Sequence, residues 1–187
     1  MNKLIVLEGI DGSGKTTICN HLVQELNNRG IPAIGTTGVF EPYESVRKQI
    51  WKNNSVAASY YFYLSANYFA SHKFETLLKE NWIICDRFVS TTYAYHAAKG
   101  FNGAIHPNAL DVLEPNHTFH ITTIDENTRQ QRVRLRADGK GDDSAVAAKG
   151  TILGDVLEIY RSLKLTEINN DGDINIAVSA ILQLVTN

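Results

Sequence analysis

Short apolar runs alternate along this chain with longer stretches in which apolar residues recur every three to four positions. Residues 3–8 (KLIVLE) form a continuous apolar run of the kind a fully buried strand shows. A helical pattern follows from Lys15 to about Asn28 and stops at Arg29-Gly30. Residues 31–37 read as a second, weaker strand, and the polar stretch 42–54 as a short helix. From Val56 to about Lys79 the pattern is that of a long helix rich in aromatics, and Trp82–Asp86 (WIICD) is the second clear buried strand. Helices are expected over 90–98, 107–113 and Glu126–Arg136, and a strand over His117–Thr122. Residues 137–150 (ADGKGDDSAVAAKG) hold three glycines and several charges with no apolar period, which predicts a mobile loop. A helix over Thr151–Glu167, a strand over 173–178 and a last helix to about Val185 complete the pattern. Alternating strands and helices predict an α/β fold with a parallel sheet. With no internal repeat or linker, residues 1–187 are expected to form one domain.

Composition narrows the field. Eighteen Lys/Arg against twenty Asp/Glu leave a net charge of −2, so the whole chain has no general attraction for phosphate-rich surfaces. Neither nucleic acid nor a membrane is expected as a partner, and any phosphate chemistry must come from local clusters. The apolar opening before Glu8 is too short for a signal h-region, and no run approaches a membrane span of about 20 residues. Cys19 and Cys85 each fall inside an apolar element, the setting of buried reduced thiols rather than a disulfide scaffold. Together these features lead to the expectation of a soluble cytoplasmic protein.

Residues 9–16 read G-I-D-G-S-G-K-T, a phosphate loop, placed between an apolar strand and a helical pattern as its mechanics require. Gly9, Gly12 and Gly14 let the backbone pass close to phosphate oxygens, with Asp11, Ser13 and Thr17 completing the nucleotide-binding stretch. The helix N-terminus adds positive dipole. Lys15 is expected to bridge the β- and γ-phosphates of ATP, and the Thr16 hydroxyl to hold Mg²⁺. A dinucleotide fingerprint fails at Thr17, where a glycine would be needed.

Asp86 ends an apolar strand, the position of a carboxylate held near Mg²⁺. Arg87 follows it, which suits binding of a second anion better than activation of water. Arg129, Arg132 and Arg136 recur on one helical face leading into 137–150, with Arg134 pointing elsewhere. A kinase needs such cations to arrive with closure, to neutralise the transferring phosphoryl and exclude water. Three readings stay open on these residues: a nucleoside monophosphate kinase, a kinase of a nucleoside with Glu8 as the candidate base, and a non-catalytic nucleotide-binding module.

The sequence resembles the thymidylate kinases. LEGIDGSGKTT (7–17) is similar to the first motif of that family and CDRFVSTTYAYH (85–96) to its second, whose form is DR-Y-x-x-S-x-x-A-Y-Q. RVRLRADGKGDD (132–143) sits where the family has its arginine-bearing lid, and EPYES (41–45) where it has an R-E-P-G-G segment. The resemblance implies a three-layer α/β/α phosphate-loop fold with a five-stranded parallel sheet and a mobile lid at about 137–150. It implies Mg²⁺–ATP-dependent phosphorylation of a deoxynucleoside monophosphate, dTMP to dTDP, by a homodimer.

Carried over residue by residue, Asp11 binds the deoxyribose 3′-hydroxyl or orders the acceptor phosphate, Arg87 grips that phosphate, and Asp86 supports Mg²⁺ or Arg87. Thr91 and Tyr95 belong to the acceptor side, Tyr95 packing where a 2′-hydroxyl would sit. Glycine at position 12 puts the catalytic burden on Arg132 and Arg136 of the lid, with Arg134 a further candidate. The chain departs from the family at Phe40 (Arg in R-E-P), Leu64 (the thymine-stacking Phe), Tyr68 (the base-reading Arg) and His96 (Gln of the second motif). Each departure falls on the acceptor side, so a modified or non-thymine monophosphate is the alternative acceptor.

Overall fold

The computed structural model describes residues 1–51, 55–140 and 151–186, with side chains for all of these except Lys48, Trp51, 136–140 and Thr151. Its elements in chain order are β1 (Leu4–Glu8), α1 (Lys15–Asn28), β2 (Ala33–Thr37), α2 (Tyr43–Trp51), α3 (Val56–Leu77), β3 (Trp82–Asp86), α4 (Val89–Ala98), β4 (His117–Thr122), α5 (Glu126–Lys140), α6 (Thr151–Ser162), β5 (Thr166–Asn169) and α7 (Ile174–Thr186). The five strands pair in parallel in the order β2-β3-β1-β4-β5.

Central β1 is buried along its whole length because both faces of the sheet are covered. Its alternate residues serve different layers. Ile5 and Leu7 pack with Ile18, Leu22 and Leu26 of α1 and Ile181 and Leu182 of α7. Leu4 and Val6 pack with Ala70 and Phe74 of α3 and with Phe88. A smaller cluster of Ile10, Ala94, Val156 and Tyr160 joins α4 to α6 beside the phosphate loop. Cys19 and Cys85 are free, buried thiols; burial, with Asp86 nearby, pushes that of Cys19 up to about 12. Among the described residues no helix is long and apolar enough to cross a membrane.

Four expectations from the pattern are corrected. Residues 174–178 are helical, not a strand: the alternation of Ile174, Ile176 and Val178 misleads, because Ile176 is 68% exposed while Ala177, Val178, Ile181, Leu182 and Val185 form the buried stripe. Asp173 starts that helix, its carboxylate accepting the Asn175 N–H at 2.9 Å. The last strand is instead Thr166–Asn169, an edge strand in which only Ile168 is buried, so it carries no alternation to read. The helix expected to Glu167 therefore ends at Ser162, with Lys164 in the left-handed region (φ 52°). Residues 107–113 hold a single 3-10 turn at Pro107–Ala109. Finally, α5 continues to Lys140, into the stretch expected to be a loop, and 141–150 lie outside the described residues.

Candidate active site

The phosphate loop joins β1 to α1 at the C-terminal edge of the sheet, and three other elements close on it. A Cβ on Gly12 would lie 2.7 Å from the Arg129 carbonyl of α5, and one on Gly14 only 2.2 Å from Nδ2 of Asn170, just after β5. Both glycines also have positive φ, 85° and 95°, so any side chain there would be strained as well as crowded. Gly9 approaches β4, its Cβ position lying 2.5 Å from the Ile121 carbonyl.

Lys15 is buried, its Nζ donating to the Ile10 carbonyl at 2.8 Å and to Ser13 Oγ at 3.3 Å. Thr16 Oγ1 donates to Asp86 Oδ2 at 2.6 Å. The other Asp86 oxygen, Oδ1, is buried with no hydrogen-bond partner among the described residues. A hydroxyl and a half-satisfied carboxylate are hard oxygen donors of the kind Mg²⁺ takes, so this pair fits the ion. Thr17 is exposed on the next position of α1.

Arg87 pairs with Asp11 of the loop. Arg87 follows β3 with φ 76°, held by its N–H on the Leu7 carbonyl (3.0 Å) and its own carbonyl accepting from Gly38 N (3.1 Å). Its Nη2 meets Asp11 Oδ1 at 2.5 Å, its Nη1 meets Thr91 Oγ1 at 3.3 Å, and its guanidinium lies over the Tyr95 ring, 5.6 Å from the centroid. Burial works against the Arg87 charge, but Asp11, with Tyr95, Tyr160 and Asp86 behind it, overrides burial and holds the pKa well above its ordinary value. The Tyr95 hydroxyl is raised by burial against the pull of Arg87. Lys15, Thr16, Asp86, Arg87, Asp11, Thr91 and Tyr95 are thus brought together.

The remaining sequence-derived residues fall at different distances from that centre. Leu64 is half-buried and Tyr68 41% exposed, one turn apart on α3. His96 is buried between α3 and α4 with both ring nitrogens engaged: Nδ1 lies 2.7 Å from the Thr92 carbonyl and Nε2 3.1 Å from Ser59 Oγ. The carbonyl requires the proton on Nδ1, leaving Nε2 to accept from Ser59, and burial lowers the His96 pKa, which agrees with a neutral ring. Arg132 reaches the loop rim, donating from Nη1 and Nη2 to the Asn170 carbonyl, each at 3.1 Å. Arg134 is exposed, and the Arg136 side chain lies outside the described residues.

Three residues of the site carry roles that sequence reasoning did not assign. Arg129 is buried and straps α5 to the loop. It is gripped bidentately by Glu126 (2.7 and 2.6 Å) and donates to the Asp11 carbonyl at 2.9 Å. Asn170 is buried, and its Nδ2 donates to the Ser13 carbonyl at 2.8 Å. Glu8 is fully buried, accepting from the Phe88 N–H at 3.0 Å and from the Thr91 hydroxyl. The helical arginine spacing signalled Arg129 as part of a cluster, but nothing local marks Asn170.

Strand order, loop position and the Lys15–Thr16–Asp86 arrangement place the molecule in the class of phosphate-loop nucleotide-binding folds. The thymidylate kinase family sequence model matches residues 7–174, and the chain belongs to that family. The thymidylate kinase of Orientia tsutsugamushi (strain Ikeda) is 30% identical over 145 residues, 73% of this chain and 66% of that protein, so the match spans just under two thirds of that relative. The thymidylate kinase of Mycoplasmoides gallisepticum is 26% identical over 196 residues, covering 97% of this chain and 93% of that protein. Among solved structures, the thymidylate kinase from Ehrlichia chaffeensis shares the fold with a TM-score of 0.68, at 21% identity and 98% coverage of both chains.

Proposed function

We propose that this chain transfers the γ-phosphoryl of ATP to dTMP, giving dTDP and ADP. The observation that carries the reading is the ion pair, 2.5 Å apart, between Arg87 and Asp11 of the phosphate loop. A cation fixed there meets a second phosphate, which an ATPase acting on water does not need. Family membership supports the same conclusion.

The residues divide the work by charge and position. The loop N–H groups and Lys15 hold the donor phosphates, Arg87 holds the acceptor phosphate in line with them, and Arg132 adds positive charge at the loop rim. Arg136 is the second lid cation that the resemblance implies. Thr16 and Asp86 would hold Mg²⁺, which supplies charge neutralisation at the donor phosphates when bound. The acceptor phosphate is already ionised near neutral pH, so no general base is required. Glu8, the one candidate base for a nucleoside acceptor, has both oxygens occupied in the core, which favours a monophosphate over a nucleoside.

Exposed Tyr68 and aliphatic Leu64 favour one second reading, a non-thymine or modified pyrimidine monophosphate as acceptor. We place the reaction in the cytoplasm, supported by the two reduced, buried thiols. The working form proposed is the homodimer that the family resemblance implies, with Tyr61, exposed on α3, as a candidate contact. A coupled ADP-release assay over nucleosides and nucleoside monophosphates tests the acceptor. Turnover confined to dTMP and close pyrimidine analogues is expected; turnover of nucleosides but not monophosphates overturns the assignment.

A further inference from the structure

Behind the acceptor side of the cleft, Thr91 is the junction of three polar side chains from three parts of the chain. Its Oγ1 meets a carboxylate oxygen of Glu8, the Tyr160 hydroxyl at 2.8 Å and Nη1 of Arg87 at 3.3 Å. A threonine hydroxyl has one proton and two lone pairs, and a guanidinium can only donate. Glu8 accepts on both oxygens, one from the Phe88 N–H and one from Thr91. With Glu8 ionised, against the upward push of burial on its pKa, the proton order has a single solution. Thr91 donates to Glu8 and accepts from Arg87 and from Tyr160, so every hydrogen-bonding position of its hydroxyl is used.

Glu8 ends β1 one residue before the phosphate loop, and Tyr160 comes from α6. Both are fully buried. Tyr160 is held flat by stacking on His120, ring centroids 4.7 Å apart and planes 20° from parallel. Arg87 gains from such support, because its own backbone sits at positive φ and its guanidinium is otherwise directed by Asp11 and the Tyr95 ring.

We propose that Glu8, Thr91 and Tyr160 form a positioning unit that fixes the Arg87 guanidinium for the acceptor phosphate and ties its placement to α6. This rests on the reading of Arg87 as the acceptor-phosphate ligand. Thr91 is then a positioning residue acting through Arg87, and a ready-made guanidinium spares the acceptor the cost of ordering it.

The test compares Thr91→Val, Thr91→Ser and Tyr160→Phe in the full-length protein by steady-state kinetics and dTMP binding. Thr91→Val should raise the KM and Kd for dTMP by about tenfold to a hundredfold, the loss expected for a hydrogen bond to a charged group. The KM for ATP should stay unchanged, and Thr91→Ser should restore the dTMP values. Tyr160→Phe keeps the ring stack and should shift dTMP binding in the same direction by less, so the idea stays testable should Thr91→Val fold poorly. Unchanged dTMP affinity in both variants, or parallel losses for ATP and dTMP, overturns the proposal. If the wild-type protein binds no nucleoside monophosphate, it is the acceptor reading that fails. A crystal structure of the Tyr160→Phe variant then decides the positioning role, which an ordered Arg87 in its original place on Asp11 overturns.

Discussion

Glycine at position 12 is required by packing as much as by phosphate. Beyond its φ of 85°, a Cβ there would lie 2.7 Å from the Arg129 carbonyl and 2.9 Å from Val133 Cγ2, so α5 rests directly on the loop. The same crowding leaves no room for a larger side chain at this point in the loop. Gly12→Ala should therefore destabilise the protein by about 2 kcal/mol or more, combining left-handed strain with displacement of a helix. Urea denaturation reads this directly; a loss under about 0.5 kcal/mol, the scale of an ordinary surface change, would show that α5 is not seated on the loop.

The strap on the other side of that contact carries a pH signature. Hydrogen bonds from Arg129, opposed by burial and joined by one from Gln130, hold the Glu126 carboxyl down at about 2 from its ordinary 4.5. A folded-state pKa below the unfolded one contributes stability that is fully present above about pH 4.5 and is lost as pH falls toward 2. Glu126 is 53% exposed, so screening keeps the contribution modest. Glu126→Gln should be less stable than wild type at pH 7, and the gap should close as pH is lowered through that window. A gap independent of pH would assign the loss to packing rather than to charge.

At the scale of elements, what could be read depended on how far the evidence lay along the chain. Lys15, Thr16, Asp86 and Arg87 were legible because each sits at a fixed offset from an apolar strand end, and β1 and β3 are long uninterrupted apolar runs. Asn170 was not legible, because its relation to Ser13 exists only after β5 pairs with β4, 157 residues further along the chain. The misplaced last strand has the same origin. Thr166–Asn169 is recruited by its pairing partner and not by its own pattern, whereas Ile174-Asn175-Ile176 mimics a strand until Asp173 caps a helix. That cap is testable: Asp173→Ala should cost about 1 kcal/mol of stability by chemical denaturation. Asp173→Asn should cost less, since the amide oxygen can still accept the Asn175 N–H. Equal losses would point to the carboxylate charge rather than to the hydrogen bond.

For the whole molecule, the near-zero net charge conceals a concentration of charge of both signs at one edge of the sheet. Lys15, Arg87, Arg129 and Arg132 lie about the loop between β1 and α1, with Glu8, Asp11, Asp86, Glu126 and Asp171 set among them. Donor and acceptor phosphates would share that field, so their binding should be coupled through position more than through long-range charge. Occupied at about a hundred times its dissociation constant, each site adds about 2.7 kcal/mol to folding stability. At this chain length that corresponds to a rise in Tm of about 5–11 °C. Thermal melts with a non-hydrolysable ATP analogue and with dTMP should each show such a shift, and a bisubstrate analogue joining both nucleosides through a phosphate chain should exceed either one. Arg87→Ala should remove the dTMP shift and leave the ATP-analogue shift in place, because Arg87 meets the loop at the Asp11 carboxylate and not at Lys15 or Thr16 among the described contacts. If both shifts fall together, the two phosphates depend on a common structural element, and the division of the cleft into donor and acceptor halves is wrong.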